Sequence, residues 1–475
     1  MTEPRASTPT ALPTALAALA AGAAMAFAPQ IFNDGDTYMH VAAGLRMLAQ
    51  GAVLQVDPFS FTFAGRPWET HEWLSEVVMA LAFRAGGWSG VALLTALAVA
   101  ATAGLLTRHV GRWLSGPVLA AVVIVGLASL ASSLLARPHV LALPFLEMWT
   151  AELVIARSER RLPDLRRIVP LMMVWANLHG SFLFGLALLA AFGLDAVVAA
   201  RGAAGVVLRW AGLGAAAGIA AMVSPHGVDN LLFPLRLMSL KTLAGVGEWA
   251  PMVPAAQPAF ALALFAGVFA VVRTRARLPL HALLLLLLLT WLAFHQVRHV
   301  LLFGIVAPLL VAEPLGEAQQ RKIPAPPAWG RAACAAVAIA GLTLAGLRLA
   351  WPVRLADGPT APVTALAEVP AAIRAQPVFN AYAFGGYLIV RGVRPYIDSR
   401  AEVYGDAFRA QYLRLADGDA GLFARELAAR RIGWTVLEPA SPLVAVLDHT
   451  PGWQRLHADR FAVVHVRAGG APRSR

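Results

Sequence analysis

Apolar stretches close to membrane-spanning length recur through the first 350 residues of this chain, and no other feature constrains its fold as much. Eleven can be marked, at roughly 12–30, 89–107, 117–136, 139–156, 168–178, 182–200, 210–223, 258–272, 279–294, 299–312 and 332–350. A helix rises about 1.5 Å per residue, so crossing the hydrocarbon core takes about 20 apolar residues. Several stretches are shorter, which tilt, burial among neighbours or an interfacial end accommodates. Hydrophobic residues make up 58% of the 475 and charged residues only 14%, too apolar for a soluble protein of this length. The chain therefore reads as a polytopic α-helical membrane protein with about 11 transmembrane helices. Small residues around Ala24-Met25-Ala26 give the first stretch a second reading, as a signal peptide, although it is long for one. The lone cysteine, Cys334, excludes an intrachain disulfide and a cysteine-based metal centre.

Basic residues set the orientation, because Lys and Arg are retained on the cytoplasmic side of short loops. With the N-terminus inside, the inner segments carry Arg5, Arg108, Arg112, Arg157, Arg160, Arg161, Arg166, Arg167, Arg201, Arg209, Arg273, Arg275, Arg277, Arg321, Lys322 and Arg331, sixteen in all. The short outer segments carry five, Arg137, Arg236, Lys241, Arg298 and Arg348. The net charge of +12 is thus explained by topology, and nucleic acid is not expected as a partner. The stretches within 168–200 decide the arrangement, since reading them as one span inverts everything downstream. The same orientation puts His40, His71, His139, His179, His226, His295 and His299 on or near the outer face, leaving only His109 and His281 inside. Histidine has no intrinsic preference for one side, so a shared outer-face site is the physical explanation.

Directly after the first stretch comes Asn33-Asp34-Gly35-Asp36-Thr37-Tyr38-Met39-His40. Acids at a membrane surface are costly unless something pairs with them. Asp34 and Asp36 read either as an N-cap for a helix starting near Tyr38 or as a reactive pair, binding a divalent cation or supplying a general base. One cap needs only one acid, which favours chemistry. The loop they open, 31–88, is long enough for structure of its own. His40 to Gln50 reads as an amphipathic helix, and Val56 to Phe63 as an extended segment or one lying on lipid headgroups. Further on, Glu72 and Glu76 share a helical face beside His71; with Glu69 they read either as completing a metal or base site beside Asp36 or as a solvated interfacial helix start.

Cationic fragments sit at the outer ends of later stretches: Arg137-Pro138-His139, Asn177-Leu178-His179-Gly180-Ser181, Ser224-Pro225-His226-Gly227 and His295-Gln296-Val297-Arg298-His299. Each alone fits a cap or turn. Together they are the groups that hold a phosphate or diphosphate. Glu248-Trp249 adds an acid or a stacking ring. Two acids fall inside an apolar run: Glu147 is expected to pair within the bundle and Glu152 to reach toward Arg157.

After residue 351 the composition changes, dividing the chain into a membrane domain, 1–350, and a small C-terminal α/β domain, 351–475. Strands are expected at 378–381, 387–390, 395–398, 435–437, 454–457 and 461–466, and helices at 406–416, 421–431 and 442–448. An odd number of spans places this domain on the non-cytoplasmic side. Asp398, Arg400 and Glu402 read as a salt-bridge network at a strand end, or as groups reaching the reactive centre from above.

An acid pair after the first span, a long first outer loop, many spans and an outer C-terminal domain together resemble the GT-C superfamily of integral-membrane glycosyltransferases. Asp34-Gly35-Asp36-Thr37-Tyr38-Met39-His40 looks like the first-loop acidic motif of that group. The resemblance implies a polyprenyl-phosphate-linked sugar as donor, the lipid bilayer as partner, and transfer to an acceptor outside a bacterial inner membrane. Asp36, or Asp34, would deprotonate the acceptor, and His40, His71, Glu72, Arg137, His139, His179, His226, Arg298 and His299 would bind substrate, the cationic ones holding the departing phosphate. Some branches use a divalent cation, Mg or Mn, for which Asp34, Asp36 and Glu72 would be the ligands. The Trp-Trp-Asp motif of the oligosaccharyltransferases is missing, so a peptide acceptor is not implied. A transporter or lipid flippase, and a non-catalytic scaffold, are the competing readings; the first favours midplane charges and internal repeats.

Overall fold

A computed structural model describes residues 11–242, 247–319 and 330–468. Arg5, Arg321 and Lys322 of the orientation reading lie outside these residues, as does the side chain of Arg331. Each of the eleven apolar stretches falls in a helix. In order the helices are α1 (Ala11–Ala26), α2 (Gly35–Gln50), α3 (Trp73–Val110), α4 (Gly116–Leu130), α5 (Pro138–Ser158), α6 (Leu165–Leu178), α7 (Phe182–Ala199), α8 (Ala204–Ala221), α9 (Asp229–Met238), α10 (Pro258–Thr274), α11 (Leu280–His295), α12 (Val300–Gln319) and α13 (Gly330–Ala350). Among the described residues, seven segments are long and apolar enough to cross a membrane, containing α3, α4, α5, α7, α8, α12 and α13. The expected eleven therefore divide into these seven and four shorter helices: α1, α10 and α11, with 16, 17 and 16 residues, and α6 with 14. Residues 168–200 form two helices, α6 and α7, turning at His179 to Ser181.

Helix α3 is broken at Gly86 and Gly87, the latter at φ 57°, a left-handed conformation that glycine adopts without a Cβ penalty. The bundle is built around α5 and α12, which are mostly buried, while α13 packs on α1 at the periphery. Glu147 does pair within the bundle, with His109 at 2.8 Å. Glu152 departs from expectation. The segment after α5 curls back, so Arg161 at 2.6 Å and Arg167 at 3.0 Å take that carboxylate, and Arg157 turns instead to Asp195.

The C-terminal domain holds α14 (Val363–Glu368), α15 (Ala371–Arg374), α16 (Gly385–Val390), α17 (Ala401–Ala416), α18 (Ala420–Ala429) and α19 (Pro442–Asp448) around one sheet. Its strands are β1 (Val378–Asn380), β2 (Trp434–Leu437), β3 (Trp453–Ala458) and β4 (Val463–Arg467), in the order β1-β2-β4-β3. Only the β1–β2 pairing is parallel. Two expected strands are absent. Residues 387–390 are helical because Gly385 and Gly386 press backbone to backbone against neighbours; a Cβ on Gly386 would lie 1.9 Å from the Gly35 carbonyl oxygen. Residues 395–398 have no strand neighbour. The Asn380 side chain replaces one, accepting from the Tyr396 amide at 2.8 Å and donating to the Ile397 carbonyl at 2.8 Å.

The segment Val56 to Phe63 lies on protein, not on headgroups. Thr62 Oγ1 donates to the Tyr396 carbonyl at 2.7 Å, and the Phe63 ring packs edge-on against Tyr404 and Phe408. Met39, Ala43 and Met47 of α2 join Tyr396, Tyr404 and Phe408 in one apolar cluster. The first loop and the C-terminal domain thus share a core and lie on the same side of the bundle.

Candidate active site

Gly35 opens α2, and Asp34 caps it, accepting from the Asp36 amide at 2.7 Å. The cap leaves Asp36 in the first helical turn, on the wall of a cavity of about 660 Å³. Arg137 faces it from the residue just before α5, where Pro138 occupies the first helical position and needs no amide partner. Its Nη1 donates to Asp34 at 3.1 Å and to Glu248 at 2.8 Å, and its Nη2 pairs with Asp36.

Burial pushes the Asp36 carboxyl up to about 6; the Asp34 charge adds to the rise and Arg137 opposes it. Burial works against the Arg137 charge as well, yet the three carboxylates outweigh it and hold that guanidinium well above its ordinary range. For Glu248 burial is again outweighed, by Arg137 and Arg298, and its pKa falls to about 2. Of Asp36 and Glu248, Asp36 is therefore the carboxylate closer to titrating near neutral pH, as suits a general base.

A second cluster surrounds Glu72, the residue preceding α3. His71 stands 3.6 Å from its carboxylate, His179 3.4 Å and His40 3.5 Å, while His40 Nδ1 also contacts Glu76 at 3.0 Å. Burial would raise the Glu72 pKa, but the imidazoles hold it well below the usual carboxylate range. In spite of burial, His40 is raised by Glu76 and Glu72, and His71 by Glu72. His179 gives way to burial and drops to about 3, a neutral imidazole at physiological pH.

Asp36, His40, His71, Glu72, Arg137, His139, His179, Arg298 and His299 all line this one cavity. The first turns of α2, the start of α3, α5 and α7 and the end of α6 and α11 bring them there, so polar groups scattered over about 260 residues converge at one end of the bundle. Two of the expected residues are placed otherwise. Asp34 stands behind Arg137 as the cap. His226 is turned toward the first loop, with Nε2 3.3 Å from the Thr70 carbonyl, and is a brace between segments. His139 contacts the Ser133 carbonyl at 2.9 Å and His299 the Leu292 carbonyl at 3.1 Å. Arg298 lies over the Trp249 ring at 4.2 Å and forms no salt bridge among the described residues.

The C-terminal domain contributes wall residues from Ser399 to Glu402. Asp398, Arg400 and Glu402 had two readings, and both are visible. Arg400 and Asp398 form a buried network, while Glu402 faces the cavity and accepts from Trp68 Nε1 at 2.9 Å. Glu76, expected with Glu72 at a metal or base site, also lines the cavity, as do Ser181 and Gln296 of the cationic fragments. Trp68, Thr70 and Ser133 line it as well, and no pattern in the sequence marks them as binding residues. Below the polar rim the wall is apolar, with Leu143 and Leu146 of α5, Leu183 and Phe184 of α7, and Leu301 and Leu302 of α12. A molecule with a charged head and a hydrocarbon tail matches that shape.

Asp34, Asp36 and Glu72, the acids expected to hold a divalent cation, each have partners within the protein. Asp34 and Asp36 share Arg137, Glu72 is taken by histidines, and no group of three or more suitable side chains among the described residues is arranged for a metal. No metal step is derived from this donor set.

No protein-family model matches the chain, and no curated protein matches it by sequence. Solved structures do. The chain is similar to the oligosaccharyltransferase of Archaeoglobus fulgidus in its apo form, with a TM-score of 0.56 and 13% identity over 90% of this chain and 69% of that one. The archaeal oligosaccharyltransferase AglB, in complex with an inhibitory peptide and a dolichol-phosphate, aligns with a TM-score of 0.54 and 11% identity over 90% of this chain and 69% of that one. ArnT from Cupriavidus metallidurans, bound to undecaprenyl phosphate, gives 0.53 and 14% identity over 92% of this chain and 95% of that one. The chain shares the fold of these solved structures. Two of these neighbours carry a polyprenyl phosphate in their structures.

Proposed function

We propose that this chain is a membrane glycosyltransferase that moves a sugar from a polyprenyl-phosphate-linked donor to an acceptor on the non-cytoplasmic face. The observation that carries the reading is the composition of one cavity wall. Asp36, a carboxylate raised toward neutrality, and Arg298, a cation without a salt bridge among the described residues, stand above an apolar strip. The donor's hydrocarbon tail lies along that strip, and its phosphate meets Arg298 and the neighbouring histidines. Asp36 accepts the proton of the acceptor hydroxyl. The hydroxyl oxygen then forms a bond to the anomeric carbon, the bond from that carbon to the phosphate oxygen breaks, and its electron pair leaves with the lipid phosphate. Arg298 stabilises the charge that develops there. Arg137 fixes the angle of Asp36 and keeps Asp34 and Glu248 from repelling it.

The side of the membrane rests on the basic-residue bias, which puts the cavity rim and the C-terminal domain away from the cytoplasm. The test is sugar release and transfer from a panel of polyprenyl-phosphate sugars by purified protein in liposomes. We expect turnover in the native chain and its loss in Asp36→Asn with folding intact. Equal turnover in both would overturn the assignment.

A further inference from the structure

Five acids line the cavity that holds Asp36: Asp36 itself, Glu72, Glu76, Glu248 and Glu402. Four have an ionic partner. Arg137 takes Asp36 and Glu248, His40 takes Glu76, and three imidazoles surround Glu72. Glu402, half-buried in the first turn of α17, forms no salt bridge among the described residues. Its Oε1 accepts from the neutral Trp68 Nε1 at 2.9 Å, and its Oε2 has no hydrogen-bond partner among them. Two charges stand nearby, and both are committed elsewhere. Arg400 spends its guanidinium on Asp398 and Asp57, and His71 is drawn to Glu72 at 3.6 Å. Burial raises the Glu402 pKa, and His71 and Arg400 offset only part of that rise. The carboxyl is also fixed in place. The turn that precedes it is pinned where the Arg400 amide donates to Asp398 at 3.1 Å, and the Trp68 ring that holds Oε1 lies against the Arg400 guanidinium. An acid so placed, with a spare acceptor oxygen on a cavity wall, is built to receive a donor.

We propose that Glu402 is the sugar-recognition residue of this cavity, accepting hydroxyls of a neutral sugar ring and rejecting acidic sugars. The proposal rests on the glycosyltransferase reading, and it names the class of sugar that the site takes. Charge sorts the ligand along the wall. A phosphate is drawn to Arg298, the cation without a salt bridge. The part of the ligand that meets Glu402 carries no second negative charge, because Glu402 and Glu72, on either side of His71, would repel it. A hydrocarbon there would leave Oε2 unpaired. A ring of hydroxyls meets both conditions, and hydrogen bonds to a carboxylate are stronger than those between neutral groups. The ring belongs to the donor or to an acceptor sugar, since both bring the same hydroxyls.

The test is equilibrium binding to the full-length chain in nanodiscs. In the donor arm the probes are undecaprenyl phosphate alone and undecaprenyl phosphate carrying glucose, mannose, galactose, glucosamine or glucuronic acid. In the acceptor arm the methyl glycosides of these sugars are added with undecaprenyl phosphate saturating. At least one neutral sugar is expected to add affinity, and glucuronic acid is not. Glu402→Gln should cut the neutral sugar's gain about tenfold or more, the scale of a lost charge-assisted hydrogen bond, and should relax the rejection of glucuronic acid. Glu402→Asp keeps the charge and shortens the reach, so it should weaken the neutral sugar and still reject glucuronic acid. Equal binding of undecaprenyl phosphate by both variants and the native chain shows that they are folded. An effect in the first arm assigns the ring to the donor, and one in the second assigns it to the acceptor. No gain from any neutral sugar in either arm, equal binding of glucuronic acid by the native chain, or unchanged sugar binding in folded Glu402→Gln would overturn the proposal. Tighter binding of glucosamine than of every neutral sugar would overturn the choice of hydroxyl. The readout needs no sugar transfer. Failure of the native chain to bind undecaprenyl phosphate at all counts against the enzymatic reading, whereas binding of that lipid with no contribution from the sugar removes the role of Glu402 alone.

Discussion

Asp57 and Arg400, 343 residues apart in the chain, meet at 2.8 Å in an enclosed ion pair that fastens the first loop to the C-terminal domain. Arg400 also grips Asp398 through Nε at 2.8 Å and Nη2 at 2.6 Å, and Tyr404 donates to Asp398 at 2.6 Å. The Trp68 ring covers the guanidinium at 4.5 Å. Replacing Arg400 by Ala strands two buried carboxylates, which costs about 3–5 kcal/mol by analogy with other broken buried pairs. The expected outcome is a lower unfolding temperature in detergent and faster proteolysis of the 31–72 loop. An unchanged melting curve would mean that the network is not enclosed.

In the proposed reaction, Asp36 is expected to set the acid limb of activity. Its pKa is raised to about 6, so the carboxylate form dominates above that pH and is lost below it. We expect kcat/KM for transfer to fall tenfold per pH unit below about 6, reporting the free enzyme's base. The same shift has a stability sign. The folded state holds the proton more tightly than the unfolded chain, so this group's stabilising contribution is full below its ordinary value of 3.8 and declines as pH rises through about 6. A profile flat from pH 5 to 8 would remove Asp36 from the base role.

Asp34 should behave unlike its neighbour. As the α2 cap it contributes about 1 kcal/mol, the ordinary worth of such a residue. Asp34→Ala is expected to lower stability by that amount while Arg137 keeps Asp36 and Glu248, so transfer falls by less than about tenfold, the equivalent of 1.4 kcal/mol in barrier. A collapse of activity as deep as that of Asp36→Asn, in folded protein, would show that the two acids act as one unit.

Arg298 is expected to matter more in the reaction than in donor binding. Removing a charge that meets a developing anion costs roughly a hundredfold in kcat. Arg298→Ala should therefore lower kcat with a smaller change in KM, and Arg298→Lys should recover part of it. Steady-state kinetics with a polyprenyl-phosphate sugar separate these terms. A change confined to KM would reassign Arg298 to ground-state binding.

Much of the membrane domain was legible because hydrophobic length and basic-residue bias act locally. The eleven stretches, the amphipathic α2 and the convergence of Arg137, His139, His179, Arg298 and His299 follow from those two signals. The failures have a common physical origin in long-range contact. Val56 to Phe63 is apolar and aromatic, and a sequence does not reveal whether such a face meets lipid or the Tyr404 and Phe408 rings. Tyr387 to Val390 has strand composition, but Gly385 is drawn against Ile397 and Asp398 and Gly386 against Gly35 at the start of α2, and the segment coils. His226, like His179, sits in the turn after a helix, yet its ring points to the Thr70 carbonyl. Asp34 and Asp36 differ by two positions, and only the geometry of the helix start assigns one to the cap and the other to the cavity.

The missing side chain of Gly386 has a mechanical corollary. Backbone lies on backbone where α16 meets the turn bearing Asp36, leaving no slack for one to slide without the other. The C-terminal domain is thus a splint for the start of α2, and a membrane bundle severed from it would keep the Arg137 grip on Asp36 but lose the backbone support behind that carboxylate.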